Sequence, residues 1–189
     1  MQIILASTSA FRRALLERLG LPFQSVAPEV DESRLAQESP EALAERLSLA
    51  KALAVAARHP DALVIGSDQV AALDDLILGK PGGYPQAMAQ LAACSGREVV
   101  FHTGLCVITP ADRQRHVDRT RVTFRTLSTE EIERYLKAEQ PYQSAGSFKV
   151  EGLGISLFET VKSEDPTALI GLPLIALCRF LRQSGVAIP

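Results

Sequence analysis

Two runs with strand character, Glu98 to Ile108 and Arg115 to Arg125, are separated by the turn-forming Pro110-Ala111-Asp112. No other feature constrains the fold as much, because such runs joined by a turn read as one long antiparallel hairpin. Around it the chain alternates. Gln2 to Ala6 is a short apolar strand, Ser7-Thr8-Ser9 offers helix caps, and an amphipathic run from Phe11 to Leu19 ends at Gly20. A strand at Phe23 to Ala27 leads into the acidic turn Pro28 to Glu32, and Ser39-Pro40-Glu41 opens a helix running to about Arg58. Ala62 to Gly66 is a continuous apolar strand. Val70 to Leu73 and Ile77 to Gly79 pair as a hairpin around Asp74-Asp75, and Pro85 to Cys94 is helical. Ser128 and Glu131 form a capping box for a helix to about Ala138. Glycines at 146, 152 and 154 precede a strand from Ile155 to Val161. Gly171-Leu172-Pro173 then starts a last helix in which Leu174, Leu177, Cys178 and Leu181 recur at helical spacing. Strands alternating with helices, plus a long hairpin, predict an α/β fold on a mixed sheet.

The 189 residues, 47% hydrophobic and 22% charged, suffice for one domain with a substantial core, or two closely joined lobes. A net charge of -2 gives no general attraction for DNA, RNA or an acidic membrane, so any bound phosphate must be held by local charges. Cys94, Cys106 and Cys178 show no C-x-x-C spacing, which argues against a disulfide framework or a zinc site and favours a reducing cytoplasm. The apolar start Ile3 to Ala6 is too short for a signal peptide, and no stretch is long enough to span a bilayer. The expectation is a soluble, cytoplasmic, unprocessed protein.

Three constellations carry chemistry. In Ser7-Thr8-Ser9-Ala10-Phe11-Arg12-Arg13 a strand ends in hydroxyls and a helix start presents free N–H groups, with two arginines one turn in. That is a phosphate cradle, since the guanidinium fork and the helix dipole both favour an anion. A plain helix cap with solvent-facing arginines would show the same spacing. In Gly66-Ser67-Asp68-Gln69 a buried strand delivers a carboxylate into a polar turn, where Asp68 is a base, a metal ligand or simply a turn former. Asp31, Glu32, Lys51 and Lys80 are the charged groups that would have to converge there. In Lys149-Val150-Glu151-Gly152-Leu153-Gly154 the glycines allow close backbone approach to a ligand, and Glu151 could accept two N–H bonds from a purine edge. A solvated surface turn is the bland alternative. His59, His102 and His116 have no metal-ligand spacing. Neither a Walker loop nor a G-x-S-x-G elbow occurs.

Taken in order, Leu5 to Arg13, Ile65-Gly66-Ser67-Asp68-Gln69-Val70, Gly79-Lys80-Pro81, Ala145 to Gly152 and Gly171-Leu172-Pro173-Leu174 resemble the Maf family over nearly the whole chain. The resemblance implies a single Maf-like domain over 1–189, with a mixed twisted sheet flanked by helices and two lobes around a cleft, as in the ITPase-like proteins. It implies hydrolysis of a nucleoside triphosphate to the monophosphate and pyrophosphate with Mg²⁺ or Mn²⁺. By motif, Asp68 falls on the family's catalytic aspartate. Ser7, Arg12, Lys51 and Lys80 fall on polar positions suited to phosphate, and Glu32 on a position suited to the metal. Phe11, Gln69 and Glu151 resemble the branch acting on 7-methyl-GTP, whereas the dTTP/UTP branch shows Arg, Thr and Gln there.

The physics of two of those positions, Phe11 and Glu151, agrees with that branch. A 7-methylguanine base is cationic, so an aromatic face at Phe11 would add about 0.5–2 kcal/mol by cation–π stacking. Glu151 would bond the base and counter its charge, which a neutral Gln would do less well. Two positions depart from the family pattern: Ala10 stands where proline is usual, and Phe11 where this branch often has tryptophan. The alternatives are a broader pyrophosphatase acting on dTTP, UTP or modified nucleotides, and a non-catalytic nucleotide-binding regulator of septum formation. The resemblance is also compatible with a homodimer, for which no residue marks an interface.

Overall fold

The computed structural model describes residues 1–189. Five helices flank one seven-stranded sheet. In chain order these are β1 (Ile3–Ala6), α1 (Ala10–Glu17), β2 (Gln24–Ser25), α2 (Pro40–Ala56), β3 (Leu63–Leu73), β4 (Leu76–Leu78), α3 (Tyr84–Cys94), β5 (Glu98–Ile108), β6 (Arg113–Phe124), α4 (Thr129–Glu139), β7 (Phe158–Lys162) and α5 (Leu174–Gln183). The strand order is β2-β1-β3-β5-β6-β7, with β4 also paired to β3. β1 runs parallel to β2 and β3, and all other pairs are antiparallel. The long hairpin is present as β5 and β6, in register from Glu98↔Thr123 to Ile108↔Arg113.

β1 is apolar at every position because both its faces are covered. Ile3 and Leu5 pack with α1 and α5 through Leu15, Leu16, Leu177 and Leu181, while Ile4 and Ala6 pack with Ala52 and Val55 of α2. A separate core fills the other end of the sheet, where Leu91, Phe101, Phe124, Leu136 and Phe148 bring together α3, α4, β5 and β6. The predicted caps hold. Ser39 accepts from Ala42 N above Pro40, and Ser128 with Glu131 closes its capping box.

α2 lies unusually close to the sheet. A Cβ placed on Gly66 would sit 2.3 Å from Ser48 O, and one on Gly104 would sit 2.3 Å from Ala44 O. These strand glycines therefore let the α2 backbone approach β3 and β5 directly.

Two expectations need correction. Ser67-Asp68-Gln69 is not a turn after a short strand but the middle of the 11-residue β3, where Asp68 pairs with Gly104 of β5. The polar residues are accommodated because β3 pairs with β1 over Leu63–Gly66 and with β4 over Ala71–Leu73, so residues 67–70 have no strand on that edge. The predicted strand from Ile155 to Val161 is instead a 3₁₀ turn at Leu153–Leu157 followed by β7. Gly154 makes this turn so tight that a Cβ there would meet Lys149 O at 2.3 Å.

Candidate active site

The gap in the β3 edge opens into a cleft of about 830 Å³, lined among others by Ser7, Phe11, Arg12, Glu32, Lys51, Asp68, Gln69, Lys80 and Glu151. These nine side chains therefore reach one cavity, whereas Asp31, also expected to converge there, is not among the lining residues and instead accepts from Ser33 N at 2.9 Å. At its floor, Lys51 of α2 spans two carboxylates, with Nζ 2.6 Å from Asp68 Oδ1 and 2.6 Å from Glu32 Oε1. Lys51 and Asp68 are buried, while Glu32 reaches in from the exposed loop after β2. The close approach of α2 at Gly66 is what brings Lys51 onto Asp68, two residues further along the same face of β3.

Glu32 is held by a clasped loop. Arg46 of α2 donates to both carboxylate oxygens of Glu38 at 2.6 and 2.9 Å and to Ser33 O at 2.9 Å. The Glu38 bond raises the Arg46 pKa above its ordinary value, and the same contact lowers that of Glu38.

At the start of α1, Ser9 caps the helix by accepting from Arg12 N, and Ser7 Oγ accepts from Ser9 N at 3.1 Å. Arg12 Nε donates to Gly171 O at 2.8 Å, which fixes the guanidinium while its Nη groups make no hydrogen bond within the protein. Burial pulls the Arg12 pKa below its ordinary value, and the charges of Asp68 and Glu32 oppose that shift. Arg13 does not join it, being exposed and paired with Glu17 at 3.1 Å.

Gln69 Nε2 shares its two N–H groups among Thr103 Oγ1, Ala168 O and Leu169 O, at 3.1, 2.9 and 3.0 Å, leaving its carbonyl oxygen without a protein partner. Ser67, its neighbour on β3, is fully buried, and its one hydroxyl hydrogen is shared between Gly104 O and Gly171 O at 2.8 and 3.0 Å. These bonds pin the segment Ala168–Gly171 along one wall. Sequence reading attached no role to Thr103 or to this wall, and a polar residue in an apolar strand was the only trace of it.

Glu151 and Lys80 stand exposed on two loops at the other wall, and Phe11 is exposed at the mouth. The Glu151 loop is anchored by Phe148, which meets the rings of Phe101, Phe124 and Phe158 edge-on. Beyond it, Tyr135 Oη accepts from Lys149 N at 3.1 Å and Glu139 Oε2 accepts from Leu153 N at 2.9 Å. Lys149 itself turns away from the cleft to Glu139 Oε1, at 3.3 Å. Neither Tyr135 nor Glu139 is recognisable from sequence, because both sit on α4, which otherwise shows an ordinary amphipathic pattern.

No cluster of three or more His, Cys, Asp or Glu side chains forms a ready-made metal cage. Glu32 and Asp68 are two carboxylates that meet at the Lys51 ammonium, each with a second oxygen not engaged by it. That suits Mg²⁺ or Mn²⁺, because such a cation takes one or two protein carboxylates and completes its shell with phosphate oxygens and water.

The same fold occurs in the Staphylococcus aureus Ham1 protein, with a TM-score of 0.55 over 97% of this chain and all of that one at 12% identity. The chain is thus an α/β protein of the Ham1 architecture with a cleft lined by both basic and acidic side chains. Within that architecture it belongs to the Maf family, whose model, described as Maf-like protein, matches residues 2–184. Among its relatives, the 7-methyl-GTP pyrophosphatase of Xanthomonas axonopodis pv. citri is 60% identical over 189 residues, covering 100% of this chain and 99% of that protein. The 7-methyl-GTP pyrophosphatase of Polaromonas sp. is 54% identical over 188 residues, covering 98% of this chain and 86% of that one. No helix is long and apolar enough to cross a membrane.

Proposed function

We propose that this chain, working as one unit over 1–189, hydrolyses 7-methyl-GTP to 7-methyl-GMP and pyrophosphate. The observation that carries the reading is the Asp68–Lys51–Glu32 arrangement at the floor of a cleft with free guanidinium and ammonium groups on its walls. Relatives with the same full-length sequence pattern bear that activity in their names.

In this reading the triphosphate lies over the gap in β3, with Arg12, Lys51, Lys80 and the start of α1 taking its charge. Phosphoryl chemistry asks for positioning and charge neutralisation more than for covalent help. Asp68, paired with the Lys51 ammonium, orients a water and accepts its proton as the water attacks the α-phosphorus. Pyrophosphate then leaves toward Lys80. Glu32 and Asp68 are the groups that would hold a divalent cation, which when bound would acidify water and offset phosphate charge. At the other end Phe11 stacks on the cationic base, Glu151 accepts from its N–H edge, and the Gln69 carbonyl oxygen takes a further donor. Buried free thiols fit a reducing cytoplasm as the place of work.

The deciding experiment is pyrophosphate release from 7-methyl-GTP, GTP, dTTP, UTP and CTP with Mg²⁺ or Mn²⁺, alongside Asp68→Asn. The expected result is strong preference for the methylated nucleotide and loss of turnover in the variant. Equal rates on the pyrimidine nucleotides would overturn the specificity. Substantial activity in Asp68→Asn would overturn the mechanism.

A further inference from the structure

One side chain outside the cleft is bonded to both of the loops that carry Lys80 and Glu151. Gln90, in the middle of α3, donates from Nε2 to Gly79 O at 3.1 Å and accepts at Oε1 from Ser147 Oγ at 2.5 Å. Gly79 is the residue before Lys80. Ser147 stands at the base of the Glu151 loop, fully buried, with φ +63° directly after Gly146 at φ +75°. Two successive left-handed residues, the second of them a serine, form a backbone that L side chains disfavour and that needs an external hold. The bond to Gln90 is the only one the Ser147 hydroxyl makes. A second tie joins the same loops, from Gly82 N to Tyr142 O at 3.0 Å. Both ends of the Gln90 amide are thus used, in the orientation that gives its N–H to a carbonyl and its oxygen to a hydroxyl.

We infer that Gln90 is a positioning residue that couples the Lys80 loop to the Glu151 loop, so that the phosphate end and the base end of a nucleotide are gripped by one jointly held wall. The assignment of those two ends rests on the function proposed above, whereas the coupling of the loops does not. From Ser147 the chain runs through the Phe148 anchor and the Tyr135-bound Lys149 amide to Glu151, so a change at its base is carried to its tip.

The test is hydrogen exchange and steady-state inhibition on Gln90→Leu, Gln90→Glu and Ser147→Ala. Loss of a side-chain hydrogen bond of ordinary strength from each loop is expected to speed amide exchange about tenfold in both residues 79–83 and residues 143–151 of Gln90→Leu. The same variant is expected to raise KM for 7-methyl-GTP about tenfold with kcat changed less than about threefold. It should also weaken inhibition by inorganic pyrophosphate and by 7-methyl-GMP together, although Gln90 touches neither. Gln90→Glu keeps the acceptor for Ser147 and loses the donor to Gly79, so it should weaken pyrophosphate inhibition while 7-methyl-GMP inhibition stays near that of the unmodified protein. Ser147→Ala should loosen residues 143–151 first. Faster exchange in only one loop of Gln90→Leu, or in neither, would overturn the coupling. If the unmodified protein leaves 7-methyl-GTP intact while Gln90→Leu loosens both loops, the substrate reading fails and the coupling stands.

Discussion

Replacing Gly66 with alanine tests how the position of α2 sets the chemistry. The new Cβ would lie 2.3 Å from Ser48 O, 2.7 Å from Ala52 N and 2.8 Å from Ala52 Cβ. Comfortable contact begins near 3.4 Å, so the helix must retreat by about 1 Å. Because the offending atoms are backbone on α2 and the Ala52 methyl, no side-chain rotation relieves the clash. Overpacking of this kind costs about 1–3 kcal/mol, and in a chain of this size each kcal/mol lowers Tm by about 2–4 °C. Lys51 lies on the displaced turn, between Ser48 and Ala52, and loses its 2.6 Å contacts with Asp68 and Glu32. A misplacement near 1 Å costs about 100-fold in rate. Gly104→Ala is the control. Its backbone clash is with Ala44, nearly two turns earlier, and its only other close contact, 2.9 Å to Ser48 Oγ, is to a side-chain atom that can rotate, so it should lower Tm comparably with a smaller loss of kcat. The assays are thermal melting by circular dichroism and pyrophosphate release from 7-methyl-GTP. A Gly66→Ala protein with lowered Tm and undiminished kcat would refute the link between helix position and chemistry; an unchanged Tm would refute the packing analysis itself.

Three further outcomes are expected. Lys51→Met leaves the buried Asp68 carboxylate without its ammonium and should lower unfolding free energy by about 3 kcal/mol in urea titration, with Asp68→Asn in the same chain restoring part of it. Glu151→Gln should cut the ratio of kcat/KM for 7-methyl-GTP over GTP about tenfold, the worth of one charge-assisted hydrogen bond, while turnover of GTP persists. Asp118, buried on β6, has its carboxyl pKa raised first by burial and then by the charge of Asp165. A raised folded pKa means that folding favours the protonated form, so its stabilising effect is present at low pH and lost as pH rises through that value. Asp118→Asn should therefore raise Tm at pH 7, with the gain vanishing below the ordinary carboxyl value of 3.8.

The strands, helices and cleft residues that carry their own signal were legible in the sequence. Ser39-Pro40 and Ser128 with Glu131 announce helix starts through local bonding, and the run of Glu98 to Ile108, rich in β-branched and apolar residues, announces a strand. What misled was the polarity of Ser67-Asp68-Gln69, which local reasoning assigns to a turn. Its cause is non-local: β1 and β4 stop short of each other on the same edge of β3, so Asp68 and Gln69 line a cavity, while Ser67 is buried against Gly104 O and Gly171 O. Gly66 and Gly104 did carry a usable signal, since glycine inside a strand marks close backbone approach. Gln90 carried none. It lies 57 residues from Ser147, and a glutamine on an amphipathic helix is ordinary until the fold brings them together.

The interrupted edge of β3 also limits how this protein can be improved. Lengthening β1 or β4 until they meet would complete the ladder, add hydrogen bonds and raise the melting point. It would also fill the space a substrate needs. Selection for thermal robustness alone should therefore drift toward closing this seam, yielding sturdier and idler molecules, whereas the natural sequence keeps part of its sheet unfinished in exchange for activity.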